Sequence, residues 1–541
     1  MAFTSFSFLV FAACVVAVYY LVPKKCQWVV LLAASYGFYL SGGIAHVFYI
    51  LGTTVVSYGA ARLMQKHRDA FQNSLEALGP EVTKDEKREM KKAVTKRIHS
   101  IQVAAVLLNL GVLASVKYLD FFIESINGLF AVFAWDASVP FLNLLVPLGV
   151  SYYTFNSIGY LIDVGRGKIE AEKHLGKFAL FVSFFPSIVQ GPLFRYGDVG
   201  VQLQQPHKLE YENLKFGAQL MLWGFFKKLV VADRVAAISN IIFGPDFESY
   251  YGHYIFFGVL AYSLQIYCDF SGGTDITRGV AQMLGIQLPE NFARPLFATS
   301  MADFWRRWHM SLGAWMREFV FYPIMLSKPV TAVSKSFRKR FGSYAGKMVP
   351  SIAAPFVVFF LMNIWHGLSA QRILNGLYNA VIISSSVALA PVYKKLAEKL
   401  RVNTEAFSYR LFQMLRTFAL LCVSRILTHA PSLDAAGQML VRLVKDRVFL
   451  NISGIDFFLG NGGEIFTFGV NQREMVVLAL AVLALLVVDI LQEMGIPIRK
   501  TLAKQNLLFR WGMILLLVTV VLVFGVYGPE YNARAFIYGG F

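Results

Sequence analysis

The chain has 541 residues, of which 56% are hydrophobic, 15% aromatic and only 16% charged. Soluble domains carry about 25% charged residues, so this composition excludes a disordered chain, argues against a water-soluble enzyme and fits an all-α polytopic membrane protein. The net charge is +18, but the basic residues stand in blocks between apolar stretches. That pattern holds loops on the cytoplasmic side of a membrane. No groove-reading motif accompanies them, so no nucleic-acid partner is expected.

A span needs about 20 largely apolar residues, because the hydrocarbon core is about 30 Å thick and a helix rises 1.5 Å per residue. The N-terminus lacks the basic start of a secretory signal, so 6–22 reads as a retained span. Further apolar runs cover 27–41, 44–61, 101–118, 141–162, 174–193, 212–226, 251–270, 349–368, 371–392, 408–428, 474–496 and 507–527. With the shorter runs re-entrant or horizontal, about ten to twelve crossings are expected.

Four basic blocks set the orientation. Residues 62–97 hold ten Lys or Arg against six acids, and 328–347 hold six against none. The others are Lys394, Lys395, Lys399 and Arg401, and Arg499, Lys500, Lys504 and Arg510. Placing all four in the cytoplasm puts both termini outside. Residues 62–100 read as a polar cytoplasmic helical arm, with a solvated Lys/Glu face. Residues 429–473 read as the largest external loop, broken by Gly454, Gly460, Gly462 and Gly463. The expected organisation is N-terminal spans with the basic arm over 1–135, a catalytic core over 136–392, and C-terminal spans with the external loop over 393–541. Cys14, Cys26, Cys268 and Cys422 form no CxxC pair and read as inert thiols, so neither a disulfide framework nor a metal site is expected.

Ionisable residues at membrane depth point to function, and three clusters stand out. In the segment Asp303–Glu318, Ser300 and Asp303 make a capping-box-like start. The spacing of Trp305, Trp308, Leu312, Trp315 and Phe319 predicts one helical face, with Arg306, His309, Gly313 and Arg317 as an adjacent polar stripe. Arg306, Arg307 and Arg317 with Trp305 suit a cationic lining for a phosphate-bearing acyl donor, since the guanidinium fork matches phosphate.

The second cluster is Asn363-Ile364-Trp365-His366-Gly367. His366 lies roughly 25 Å along an apolar helix that starts at the basic loop. Asn363 is its i,i−3 neighbour, and a buried neutral imidazole can take a proton from a hydroxyl. Gly367 can let a ligand approach the backbone. In the third cluster, Asp269 and Asp275 are expected to pair with Arg278 or Arg294 as structural intramembrane groups, and Gly272-Gly273 to unwind the helix. There is no Gly-rich phosphate loop, HExxH or GxSxG, so neither ATP-driven chemistry nor a hydrolase triad finds support.

An ordered set of motifs runs from about 140 to 370: Pro147-Leu148-Gly149-Val150-Ser151-Tyr152-Tyr153, Tyr160-Leu161-Ile162-Asp163, Phe185-Pro186-Ser187-Ile188-Val189-Gln190-Gly191-Pro192, Asp269-Phe270-Ser271, Pro289-Glu290-Asn291-Phe292, Phe304–His309 and Trp365-His366-Gly367, with Phe536-Ile537-Tyr538 near the end. This set resembles the membrane-bound O-acyltransferase (MBOAT) family, above all its alginate O-acetyltransferase-like branch, with the teichoic acid D-alanyl transferases as cousins. One departure follows Tyr322-Pro323, where Met325-Leu326-Ser327 replaces the branch's Leu-Gly-Gly.

The resemblance implies a ring of tilted transmembrane helices around a central pore. It also implies a multi-pass protein of the cell membrane that moves an acyl group, acetyl first, from a cytoplasmic thioester to a cell-surface or exported polysaccharide. His366 carries over as the essential histidine and His309 as the second one; Asn363, from its spacing, is expected to orient His366 or stabilise the oxyanion. The donor would be acetyl-CoA or another acyl thioester, free or on an acyl carrier, with no permanently bound cofactor. An extracytoplasmic relay protein is an expected partner. The alternatives are D-alanyl transfer from a carrier protein to teichoic acid, and a small-anion transporter without covalent chemistry.

Overall fold

A computed structural model describes residues 1–79, 83–133, 135–144, 146–446, 457 and 463–527. The expected loop glycines Gly454, Gly460 and Gly462, and Phe536-Ile537-Tyr538, lie outside them. The described chain is all helical; its one β-type pairing is an isolated antiparallel bridge between Phe292 and Trp308. It divides into two compact units, Met1–Ala218 with Thr277–Pro289, and Gln219–Ile276 with Glu290 onward.

Six described helices are long and apolar enough to cross a membrane: Ile44–Leu78, Lys84–Val132, Lys328–Trp365, Phe407–His429, Gln472–Glu493 and Leu507–Phe524. A seventh is gained if Ala370–Ala388 and Ala390–Lys399, bent by 57°, form one broken span. This is fewer than the ten to twelve read from the sequence. The difference lies in short apolar helices such as Gln27–Leu40, Val150–Gly165 and Leu175–Ser183. Val150–Gly165 buries 14 of its 16 residues. It is apolar because protein surrounds it, and a helix enclosed on all faces needs no polar side.

In the first unit the polar arm has no helix of its own. Ile44–Leu78 and Lys84–Val132 run through it, with 35 and 49 residues. At 1.5 Å per residue these are about 52 and 74 Å long, against a hydrocarbon core of about 30 Å, so both project well beyond lipid. Thr83 starts the second with a capping box: its hydroxyl accepts from the Glu86 N–H, and the Glu86 carboxylate accepts from the Thr83 N–H at 3.0 Å. Two of the sequence motifs meet here. Gly149 has φ +67°, and a Cβ there would stand 1.9 Å from the Ile188 carbonyl oxygen, so only glycine fits.

The helix Gly252–Met283, which belongs to the second unit as far as Ile276, runs unbroken through Gly272-Gly273. The expected unwinding does not occur, because the glycine is used for packing. A Cβ on Gly272 would come 2.8 Å from the Gly224 carbonyl, and one on Gly224 2.6 Å from the Gly272 carbonyl. Small residues at this crossing let two backbones meet. Directly after Gly224 the chain makes a π-helical turn, Phe226–Ala232, which aims Lys227 and Lys228 inward.

Candidate active site

The expected continuous helix over 303–318 is broken at its centre. Ser300 caps Met301–Arg307, accepting from the Asp303 N–H at 3.1 Å. Trp308 then turns extended, His309 takes a left-handed conformation at φ +46°, and Met310–Met316 follows. The break is fixed by a distant segment. The Ala293 N–H donates to the Arg307 carbonyl and the Met310 N–H to the Asn291 carbonyl, each at 2.9 Å. Backbone pairing across some 17 residues here overrides a local helical pattern, and Arg306, His309, Gly313 and Arg317 do not form one stripe.

The break seats His309 in the interior. It is 3% exposed, with the Phe270 ring edge-on at 4.8 Å. Nδ1 lies 3.1 Å from Asn291 Oδ1, while Nε2 is buried without a hydrogen-bond partner. Burial alone pushes the imidazole pKa down to about 3, so the ring is neutral. Trp308 packs on Phe292 and Phe304, with the Arg425 guanidinium 5.1 Å over its ring.

The arginines separate into two groups. Arg307 is held by Asp303 at 3.1 Å and by both oxygens of Glu493 at 3.0 and 2.9 Å. Glu493 also takes Arg294 at 2.7 Å. Arg306 is 61% exposed, with only a 3.3 Å contact to Asp303, and Arg317 is exposed. Arg306 and Arg317 are therefore accessible to an incoming anion, whereas Arg307 ties its segment to the end of helix Gln472–Glu493.

His366 stands at the C-terminus of helix Lys328–Trp365, half-buried, with its ring 4.4 Å from that of Trp365. Gly367 follows at φ +136°, and the Arg372 guanidinium lies 3.3 Å from where its Cβ would be. A side chain of this chain thus approaches the backbone that glycine leaves open. Asn363 faces another way. Its amide donates to the Phe359 carbonyl at 2.9 Å, and its oxygen accepts from Asn375 at 2.9 Å. Asn375 Oδ1 in turn accepts from Ser424 and Asn379, and Asn379 Oδ1 accepts from the Trp305 indole at 3.0 Å. A buried ladder, Trp305–Asn379–Asn375–Asn363, so joins the segment before His309 to the helix that ends at His366.

Asp269 and Asp275 find lysines. Lys228 Nζ lies 2.5 Å from Asp269 and 2.7 Å from Asp233; Lys227 Nζ lies 2.7 Å from Asp275 and donates to Ser271 at 3.0 Å. Arg294, one of the two arginines expected there, pairs with Glu493. Arg278 sits in the same long helix. These ion pairs anchor the turn that presents Phe270 to His309. The two lysines directly follow the apolar run 212–226, in Phe225-Phe226-Lys227-Lys228-Leu229-Val230, and nothing in that local pattern marks them as interior. Asn375 and Asn379 gave no signal beyond i,i+4 spacing. Among the described residues no three His, Cys, Asp or Glu side chains come together as a metal site.

Both histidines, the ladder and the ion pairs of Lys227 and Lys228 fall within one stretch, 172–416, that matches the model of the membrane-bound O-acyltransferase family. That stretch is an MBOAT domain. A protein named probable alginate O-acetylase AlgI from Pseudomonas syringae pv. tomato is 28% identical over 81% of this chain and 74% of its own length. The peptidoglycan O-acetyltransferase of Helicobacter pylori is 28% identical over 54% of this chain and 56% of its own length. The teichoic acid D-alanyltransferase of Bacillus subtilis is 32% identical over 45% and 59%. The chain is a multi-pass membrane protein, and its likeness to these named transferases supports an O-acyltransferase.

Proposed function

We propose that the enzyme transfers acetyl from a cytoplasmic thioester, acetyl-CoA or an acetylated carrier, across the cell membrane for O-acetylation of an exported or cell-surface polysaccharide. The observation that carries this reading is the likeness to the alginate O-acetylases, which extends over 81% of the chain and includes both histidine segments. In the proposed step His366 takes the proton of the acceptor hydroxyl. The oxygen forms the new ester bond at the thioester carbonyl, the carbon–sulfur bond breaks, and the thiol leaves with a proton. His366 suits this role because it is half-buried, so the imidazolium it becomes is open to stabilisation by water. Arg306 and Arg317 meet the donor's phosphates. In this reading the basic blocks face the cytoplasm with the donor, both termini lie outside, and a relay protein would receive the acetyl group on that outer side.

The likeness to the Bacillus subtilis protein supports D-alanyl transfer as a second reading. Purified enzyme given acetyl-CoA or D-alanyl-charged carrier in parallel separates the two. Acetyl on the acceptor by mass spectrometry supports the first reading; D-alanyl there, with no acetyl, replaces it.

A further inference from the structure

Asn291 is fully buried beside the break at His309. Its Oδ1 lies 3.1 Å from the Ser311 backbone nitrogen, 2.8 Å from Ser311 Oγ and 3.1 Å from His309 Nδ1. A backbone N–H can only donate, so the atom facing Ser311 must be the amide oxygen. The same oxygen faces His309, which makes Nδ1 the protonated ring nitrogen. A neutral imidazole has one N–H, and Nε2 is left as a bare lone pair. That lone pair is buried and unpartnered. So is the Nδ2 of Asn291, a donor on the adjoining side chain. Unpaired polar atoms this deep cost about 1–3 kcal/mol each unless something reaches them.

The partner at Nδ1 decides what Nε2 can do. A carboxylate there would stabilise an imidazolium and make the ring a base. Asn291 is an amide: it fixes the tautomer and offers no charge to balance a proton taken up at Nε2. We propose that Asn291 is a positioning residue that locks His309 as the neutral Nδ1–H tautomer, so that Nε2 accepts a hydrogen bond from an uncharged O–H or N–H group of the bound substrate. This inference rests on the acyltransferase reading, and it separates a hydrogen-bonding histidine, His309, from a proton-accepting one, His366.

The test uses the full chain in lipid nanodiscs with 15N-labelled histidine, the His309 resonances being assigned by difference from His309→Gln. At pH 7 the wild-type ring should show a protonated Nδ1 and a bare Nε2. Asn291→Asp, of the same shape, should protonate both nitrogens and lower turnover with acetyl-CoA about 10- to 100-fold. Asn291→Ala should let an Nε2–H form appear. A wild-type ring carrying its proton on Nε2, or an Asn291→Asp ring still singly protonated, overturns the proposal. Such a result with normal turnover leaves the enzyme reading intact. The expected ring with no turnover on any thioester removes the enzyme reading and retains the tautomer.

Discussion

His309 and His366 lie in the same structural unit, in contrasting surroundings. His309 sits in a helix break pinned by a distant strand-like segment, enclosed by Phe270 and held by one amide. His366 sits at a helix end beside Trp365, half open, next to a glycine and a guanidinium. A group that must gain charge during a reaction needs water or a counter-charge within reach, whereas one that stays neutral can be buried. In the proposed mechanism this contrast favours His366 for the proton-accepting role and His309 for the fixed hydrogen-bonding role.

The largest effect that would sharpen this contrast concerns the support beneath His309. Lys228→Met leaves Asp269 and Asp233 buried without their cation, which costs about 3–5 kcal/mol of folding free energy. The expected outcome is a large loss of folded protein by thermal denaturation in detergent. Unchanged stability would mean that the ion pairs do not anchor the turn carrying Phe270.

A smaller effect tests whether the two histidine segments are coupled. Asn375→Ala removes the centre of the asparagine ladder and takes away the side-chain partner of Asn363 Oδ1 and of Ser424 Oγ, at about 1–3 kcal/mol for each buried group left unpaired. Because the ladder joins both segments, kcat should fall along with stability. A stability loss with kcat unchanged would mean that the segments act independently. The smallest effect concerns the donor. Arg306→Ala should raise KM for acetyl-CoA several-fold with kcat near wild type, since an exposed phosphate contact contributes about 1 kcal/mol. Arg307→Ala should instead lower stability, because its guanidinium is committed to Asp303 and Glu493.

Several of these features could be read from the sequence. Apolar composition and spaced basic blocks gave the membrane class, because water and lipid sort residues by local chemistry alone. Ser300 as a cap was legible for the same reason, since its partner is three residues away. The break at His309 was not. Tryptophans at helical spacing favour one continuous helix, and the pairing that interrupts it comes from Asn291–Ala293, which no local pattern reveals. The apolar run at Val150–Gly165 is enclosed by protein, which hydropathy alone does not distinguish from enclosure by lipid. The aspartates at 269 and 275 were recognised as needing cations, but Lys227 and Lys228 reach them only through a π-helical turn and a glycine–glycine crossing.

The division of labour between the two histidines is tested most directly by acetyl transfer from acetyl-CoA to the polysaccharide, followed by mass spectrometry with purified protein in vesicles. His366→Ala should lower the rate about 10²- to 10⁴-fold, the range of a lost general base, while His309→Gln, which retains a neutral side-chain acceptor, keeps more activity than that. Transfer by His366→Ala at the wild-type rate would contradict the account.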